Sequence, residues 1–490
     1  MSRRTIVSLT ALTAVVVLVT ACGSDVPPSV YFSAQAQGNL AGQAALGLGA
    51  PASEGRPGDN SAALPGQPTP GITAASLPGA TTGGGLPPGA PGQPTASRPT
   101  GSTPIGASAG SCAGFSNQKG VSSSTITIAN ASDLTGPIAG IFQSARQAVQ
   151  AYVDYFNSVS SICGRHLSLE SLDSQTSDTG DEQAATTACG NAFAMVGSMS
   201  AFDDGGAQTV TSCGIPDLRA ITVNPPRADS PVVFAADGLS IPEVPTAPYE
   251  YYKSVNPGAT QHAAMLYLNV GATTTNGKSF QKAAEQIGYK FVYSQSVSVT
   301  EFNYAPYVAA MQSAGVQLVQ WVGNYQNAVT LKKATDQQNF HPMFIMDSVA
   351  YDPGFYQDGG SAVNGTYSYI DTAMFEEASR NPAMQLYLHW LHVASPSATP
   401  SFFGVFAWGA AELFAQEALE LGGKLTRATL LSALKNVKGY TANGLFAPQA
   451  VGAKTTSPCQ TVMQLENGTW VRRTPYPYTC GSLVNSGIGK

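Results

Sequence analysis

Residues 125–129, Thr-Ile-Thr-Ile-Ala, alternate polar and apolar side chains, the pattern of a strand with one face on a core. Asn130-Ala131-Ser132-Asp133-Leu134-Thr135-Gly136-Pro137 follows, small and polar, and reads as a turn. Beyond it Ile141, Ala145, Ala148, Tyr152 and Tyr155 recur at helical spacing, while Gln143, Arg146, Gln147, Gln150 and Asp154 fill the opposite face. Strand, tight turn and helix make the first half of a βαβ unit, and the pattern continues. Leu167 and Leu169 mark a second strand, 182–191 a helix, 193–197 a short apolar strand, then a helix to about Cys213 and a strand at 215–222. A Pro- and Tyr-rich passage at 241–252 reads as a crossing between lobes. A second series begins after it, with strands at 263–268, 291–293, 316–322 and 342–347 and helices at 276–287, 305–314 and 328–337. Helices at 382–392 and 403–421 and a β-rich tail at 439–480 end the chain. This alternation predicts an α/β fold of two lobes, each a mainly parallel sheet flanked by helices, with multiple inter-lobe crossings around a cleft. Ligands in such sheets sit at the carboxyl ends of strands, where the 130–137 turn falls.

The first 111 residues break this pattern. Arg3 and Arg4 precede an apolar run at 6–19, too short to span a bilayer and suited to a signal peptide at 1–21. Val19-Thr20-Ala21-Cys22 resembles a bacterial lipobox, which implies cleavage before Cys22 and acylation of its thiol. Residues 22–111 are rich in Gly, Pro, Ala, Ser and Thr, with no charged residue from 60 to 97. Such a segment cannot bury a core and reads as a disordered tether, with a root-mean-square reach of roughly 50 Å. Charged residues are 11% of the chain and the net charge is −6. No basic patch points to nucleic acid.

Seven cysteines are present: Cys22, Cys112, Cys163, Cys189, Cys213, Cys459 and Cys480. With Cys22 lipidated, six remain, an even count that reads as disulfides outside the cytoplasm. Cys459 and Cys480 share the β-rich tail. Cys189 and Cys213 each end a helix on either side of one strand. Cys112 is left with Cys163, one of about 15 possible connectivities for the set. The absence of any C-x-x-C pair speaks against zinc ribbons and thiol redox sites.

The ordered set of 126–129, Leu134-Thr135-Gly136-Pro137, the long helix and Cys163-Gly164-Arg165-His166-Leu167 resembles the start of a periplasmic binding protein. The resemblance is to the Leu/Ile/Val-binding receptors of ABC transporters. Val196-Gly197 with its following serines, residues 215–225, Val322-Gly323-Asn324-Tyr325 and residues 344–348 extend the likeness over nearly all of 112–490. It implies the type I periplasmic-binding-protein fold, with lobe 1 at about 112–250 and 374–438 and lobe 2 at about 255–370 and 439–490. It also implies a ligand carboxylate held in the first lobe by amides and hydroxyls at Ser198, Ser200, Ala201, Ile221, Thr222 and Val223. A helix N-terminus after Ser200 would add N–H groups; the alternative for either serine is a helix cap. In the second lobe Tyr325 falls where the family meets an ammonium. The family's glutamate falls near Asp347 or Ser348, which makes Asp347 the candidate acid. Phe142 is the nearest aromatic after the T-G-P turn and a candidate wall. These departures leave the ligand open between an amino acid and a related amide or other organic molecule.

Catalytic signals are weak. There is no G-x-S-x-G elbow and no G-x-x-x-x-G-K-[ST] loop. His389 and His392 read as surface or packing residues, and Asp203-Asp204 as a solvated helix start. The expectation is therefore no enzyme, no cofactor and no metal. The chain reads as an extracytoplasmic, monomeric solute-binding receptor, lipid-anchored to the outer face of the bacterial cytoplasmic membrane. It would deliver a small polar ligand to ABC permease subunits. The alternative is a sensor of the same fold that signals without transport. Cys22→Ala is expected to leave the protein unprocessed or to release it from membranes. Fractionation with intact-mass measurement reads this, and an unchanged membrane-bound mature mass would refute lipidation.

Overall fold

The computed structural model describes residues 109–136, 140, 142–238, 240–269 and 271–489. The expected signal peptide, Cys22 and all of the expected tether except residues 109–111 lie outside the described residues, as do Pro137 and Ile141. The first series runs β1 (Thr125–Ser132), α1 (Gln143–Val159), β2 (His166–Asp173), α2 (Asp178–Asn191), β3 (Ala194–Val196), α3 (Ala207–Cys213), β4 (Asp217–Arg219), α4 (Pro225–Ala228) and β5 (Val233–Ala235). Its five strands pair in parallel in the order β2-β1-β3-β4-β5. The second runs β6 (Glu243–Pro245), α5 (Ala247–Val255), β7 (Ala263–Leu268), α6 (Gly271–Gln286), β8 (Phe291–Val297), α7 (Ala305–Ser313), β9 (Leu318–Val322), α8 (Tyr325–Gln337), β10 (Met343–Met346), α9 (Pro353–Gly359) and β11 (Tyr367–Ile370). Its parallel core, β8-β7-β9-β10-β11, repeats the winding of the first sheet.

The rest of the chain is shared between the lobes. Helix α11 (Phe402–Leu421) covers the first sheet, with α10 (Pro382–Ala394) packed on α1 and α12 (Arg427–Leu434) on α11 at the edge of the first core. Strands β12 (Cys459–Glu466) and β13 (Thr469–Arg472) extend the second sheet antiparallel, β14 (Thr479–Cys480) pairs with β12, and β15 (Leu483–Asn485) pairs with β6.

The alternation of β1 decides what covers it. Ala129 and Ala131 pack with Ala184, Ala185 and Ala188 of α2, small residues that let the helix lie close. Ile126 and Ile128 are fully buried on the other face, where Tyr152 of α1 meets Trp408 of α11 edge-on at 5.0 Å. Gly197 has φ +63°, and a Cβ there would come within 2.4 Å of Val149 Cγ2 and 3.0 Å of the Ala407 carbonyl oxygen. Only glycine fits where α1 and α11 close over the end of β3.

The 241–252 passage differs from its reading as a crossing. Val244, Tyr249 and Tyr252 are buried with Ala263, Leu318 and Val462 in the second lobe's core. The Tyr249 hydroxyl accepts from Gln320 Nε2 at 2.9 Å. The tyrosines share one face of a short Pro-initiated helix, and aromatic area of that size is stable only under cover. Disulfides join Cys112 to Cys163, Cys189 to Cys213 and Cys459 to Cys480, so none links one lobe to the other.

Three segments pass between the lobes and meet at Gln449. Its Nε2 donates to Asp371 Oδ2 at 2.7 Å, and its Oε1 accepts from the Gly238 N–H at 3.3 Å. Asp237 and Asp371 are both buried. Burial, then the charge of Asp371, pushes the Asp237 carboxyl far up, and burial pushes Asp371 up. A carboxyl whose folded pKa is raised adds stability below its unfolded value, ~4, and loses it as pH rises through the folded value. Asp371→Asn is therefore expected to gain stability relative to wild type from pH 4 to pH 7, by on the order of 1–3 kcal/mol. Urea unfolding across that range checks it, and a constant difference would refute it.

Candidate functional site

A 2-1-3-4-5 sheet reverses its winding between its first and third strands, and ligands bind at the carboxyl ends there. In the first lobe this point lies between β1 and β3, flanked by the loops at 133–136, 197–206 and 220–224. In the second it lies between β7 and β9, beside Gly323, Asn324 and Tyr325.

The first-lobe residues expected to hold a ligand are largely engaged by the chain itself. Ser198 is fully buried, and its Oγ accepts from the Ala131 N–H at 3.1 Å, stitching β3 to β1. Ser200 Oγ donates to Asp133 Oδ1 at 3.2 Å and accepts from the Phe202 N–H. The Ala201 N–H donates to Asp133 Oδ2 at 2.8 Å. No helix begins after Ser200: residues 201–206 are turns, and α3 starts at Ala207. Ile221 is buried. Phe142 is also buried, edge-on against Phe403 at 5.1 Å, so its ring serves the α1–α11 contact. Thr222 stands apart, because its hydroxyl makes no hydrogen bond among the described residues and faces a cavity of about 340 Å³. Asp229, Ala235, Gly238, Ser240 and Lys454 share that cavity.

In the second lobe Tyr325 is the first residue of α8, after Asn324, whose side chain caps the helix through the Asn327 N–H. A Cβ on Gly354 would come within 2.3 Å of the Tyr325 hydroxyl, so the glycine makes room for it. Burial, then Asp352 and Asp358, pushes the phenol up to about 12. Asp347 ends β10 and accepts the Val349 N–H at 3.1 Å. Burial answered by that one bond pushes its carboxyl up to about 6. Neither residue lines the cavity that holds Thr222. Among the described residues, no group of three or more His, Cys, Asp or Glu is placed to hold a metal ion.

A family model described as Periplasmic binding protein matches residues 125–469. The chain belongs to the periplasmic binding protein family. That is a family of extracytoplasmic solute-binding receptors, not of enzymes. No helix among the described residues is long and apolar enough to cross a membrane. A fatty acid ABC transporter substrate-binding protein from Thermomonospora curvata has a similar structure, with TM-score 0.62 and 18% identity over 76% of this chain and 95% of that one. A putative branched-chain amino acid ABC transporter protein from Rhodospirillum rubrum gives 0.57 and 18% over 71% and 100%. The isoleucine complex of LivJ from Streptococcus pneumoniae gives 0.59 and 15% over 71% and 100%. These likenesses are of fold. No curated protein matches the sequence.

This periplasmic binding protein holds its first-lobe loops on a buried ion cluster that its sequence did not signal. Asp203 reads as a solvated helix start but is fully buried. Its carboxylate accepts the Val223 and Asn224 N–H groups at 3.0 and 3.1 Å and lies 3.7 Å from Arg219 Nε. Arg227 bonds Asp217 through Nε and NH2 (2.9 and 2.7 Å) and Asp181 through NH1 (3.1 Å). Three acids and two arginines thus share one site out of water, and burial pushes Asp181 up to about 6. Removing one partner from such a cluster leaves charge both buried and unpaired. Arg227→Met is expected to cost about 3–5 kcal/mol in urea unfolding; a loss under 1 kcal/mol would refute the cluster's role.

Proposed function

We propose that this receptor is tethered by a lipid on Cys22, captures a small polar molecule between its lobes and delivers it to ABC permease subunits. The ligand would be an amino acid or a related amide or organic molecule. The observation that carries the reading is the repeated strand order. Two sheets wound alike each present a switch point, and short crossings that meet at Gln449 join them. A solute touching both sides stabilises the closed arrangement by its differential affinity for it. Thr222 supplies the first-lobe contact, and Tyr325 and Asp347 supply those of the second. The similar proteins that take fatty acid and isoleucine support a small organic ligand. The protein acts as a monomer and carries out no catalysis.

Mass spectrometry of solute carried through native purification identifies the ligand, and calorimetry with it tests the site. A hydrogen bond to a charged group contributes ~1.5–3 kcal/mol, so Thr222→Ala and Tyr325→Ala should each weaken binding roughly ten- to a hundredfold. Asp347→Asn should matter only for a cationic ligand. Unchanged affinity in both of the first two variants, with the fold intact by circular dichroism, would remove this cleft.

A further inference from the structure

The loops at the carboxyl edge of the first sheet carry backbone N–H groups of the kind that hold anions, and in three places an acid of the chain is already on them. Asp133, fully buried just beyond β1, accepts the Ala201 N–H at 2.8 Å, the Thr176 N–H at 3.1 Å, Ser174 Oγ at 2.6 Å and Ser200 Oγ at 3.2 Å. Asp203 accepts Val223 and Asn224 N–H groups in the loop after β4. Asp173 accepts the Leu134 and Thr135 N–H groups in the turn after β1, at 3.1 and 3.2 Å. Much of the switch point between β1 and β3, where a doubly wound sheet offers its ligand site, is therefore occupied from within, the Asp133 side most completely. An incoming carboxylate would find these donors taken and like charges beside them. Lys454, the cation on the cavity wall, is engaged by the carbonyl oxygens of Ala228 and Ser230 at 3.0 and 2.6 Å. The polar side chains left open on that wall are the Thr222 and Ser240 hydroxyls and the Asp229 carboxylate, and the acid among them favours an uncharged or cationic partner.

We propose that Asp133 stands where a ligand carboxylate would otherwise sit, and that the solute of this receptor carries no free carboxylate and meets the first lobe through an amide, amine or hydroxyl group. The proposal rests on the receptor reading above, and it decides between the amino acid and the amide that reading left open. A carboxylate bound by four donors is a specificity device as well as a brace, because it gives the empty lobe its rigid edge and denies that edge to anions.

Two measurements on the full mature chain test it. In the first, thermal unfolding of wild type and Asp133→Ala is compared in sodium formate and sodium chloride at equal ionic strength. Formate is expected to restore several degrees to the variant, by entering the vacated cradle, and to do nothing for wild type. No formate-specific gain in the variant, or an equal gain in wild type, would overturn the proposal. In the second, calorimetry on wild type compares acids with their own amides: L-isoleucine with L-isoleucinamide, and 4-hydroxybenzoate with 4-hydroxybenzamide. No acid is expected to bind more tightly than its amide, and an acid about tenfold tighter would overturn the proposal. If Asp133→Ala folds in neither salt, this comparison decides alone. The formate experiment reads the cradle whether or not the lobes close on a solute. Failure of the receptor reading would instead appear as the absence of ligand-dependent compaction in small-angle scattering with the co-purified molecule.

Discussion

Charge taken out of water must be answered by opposite charge or by hydrogen-bond donors, and that constraint shapes the whole binding edge of the first lobe. Asp181, Asp203, Asp217, Arg219 and Arg227 are each at most 1% exposed and pair with one another within the first lobe. The cluster cannot relax toward solvent, so each carboxylate draws in whatever donor is near. For Asp203 that donor is the backbone beside Thr222. The position of the Thr222 hydroxyl is therefore set from below, by electrostatics in a low-dielectric site, more than by the local preferences of residues 220–224.

The second organising feature is duplication. Each sheet winds outward from its first strand and reverses, so each offers one crevice at its carboxyl edge. The disulfides respect the division: two staple loops and helices of the first lobe and one closes the tail of the second. Covalent staples are thus confined within lobes, and the passages between them are held by hydrogen bonds around Gln449 beside a pair of buried acids.

The fold was legible wherever a strand was long or wholly apolar. Ala263–Leu268 and Leu318–Val322 announce themselves by composition, and the Ile126/Ile128 alternation shows which face is covered. Strands such as Val233–Ala235, three residues long, carry too little pattern to separate from a loop, and Tyr249 and Tyr252 were hidden in a Pro-rich passage that looks like a linker. The site was less legible because its chemistry is made of pairs far apart in sequence. Asp133 is read easily as a turn residue; that its oxygens meet Ser174 and Ala201, 41 and 68 positions on, is a property of sheet order. Asp203 beside Asp204 has the appearance of a solvated acidic pair until Arg219 is brought beneath it. Thr222 and Tyr325 were singled out by the family resemblance, and no local signal tells which loop donors are already satisfied.

The sharing of helices between the two halves has a consequence for how the chain comes to exist. The first sheet is covered by α11, residues 402–421, which reach it only after every parallel strand of the second sheet has been made. The second sheet in turn takes its antiparallel border from β12 and β13, beyond residue 458. The α1 side of the first sheet is completed only by residues 402–421 and the border of the second only by residues 459–472, and contacts of such long sequence separation form slowly. The order of synthesis thus differs from the order of packing: the first strands made are among the last to be fully covered.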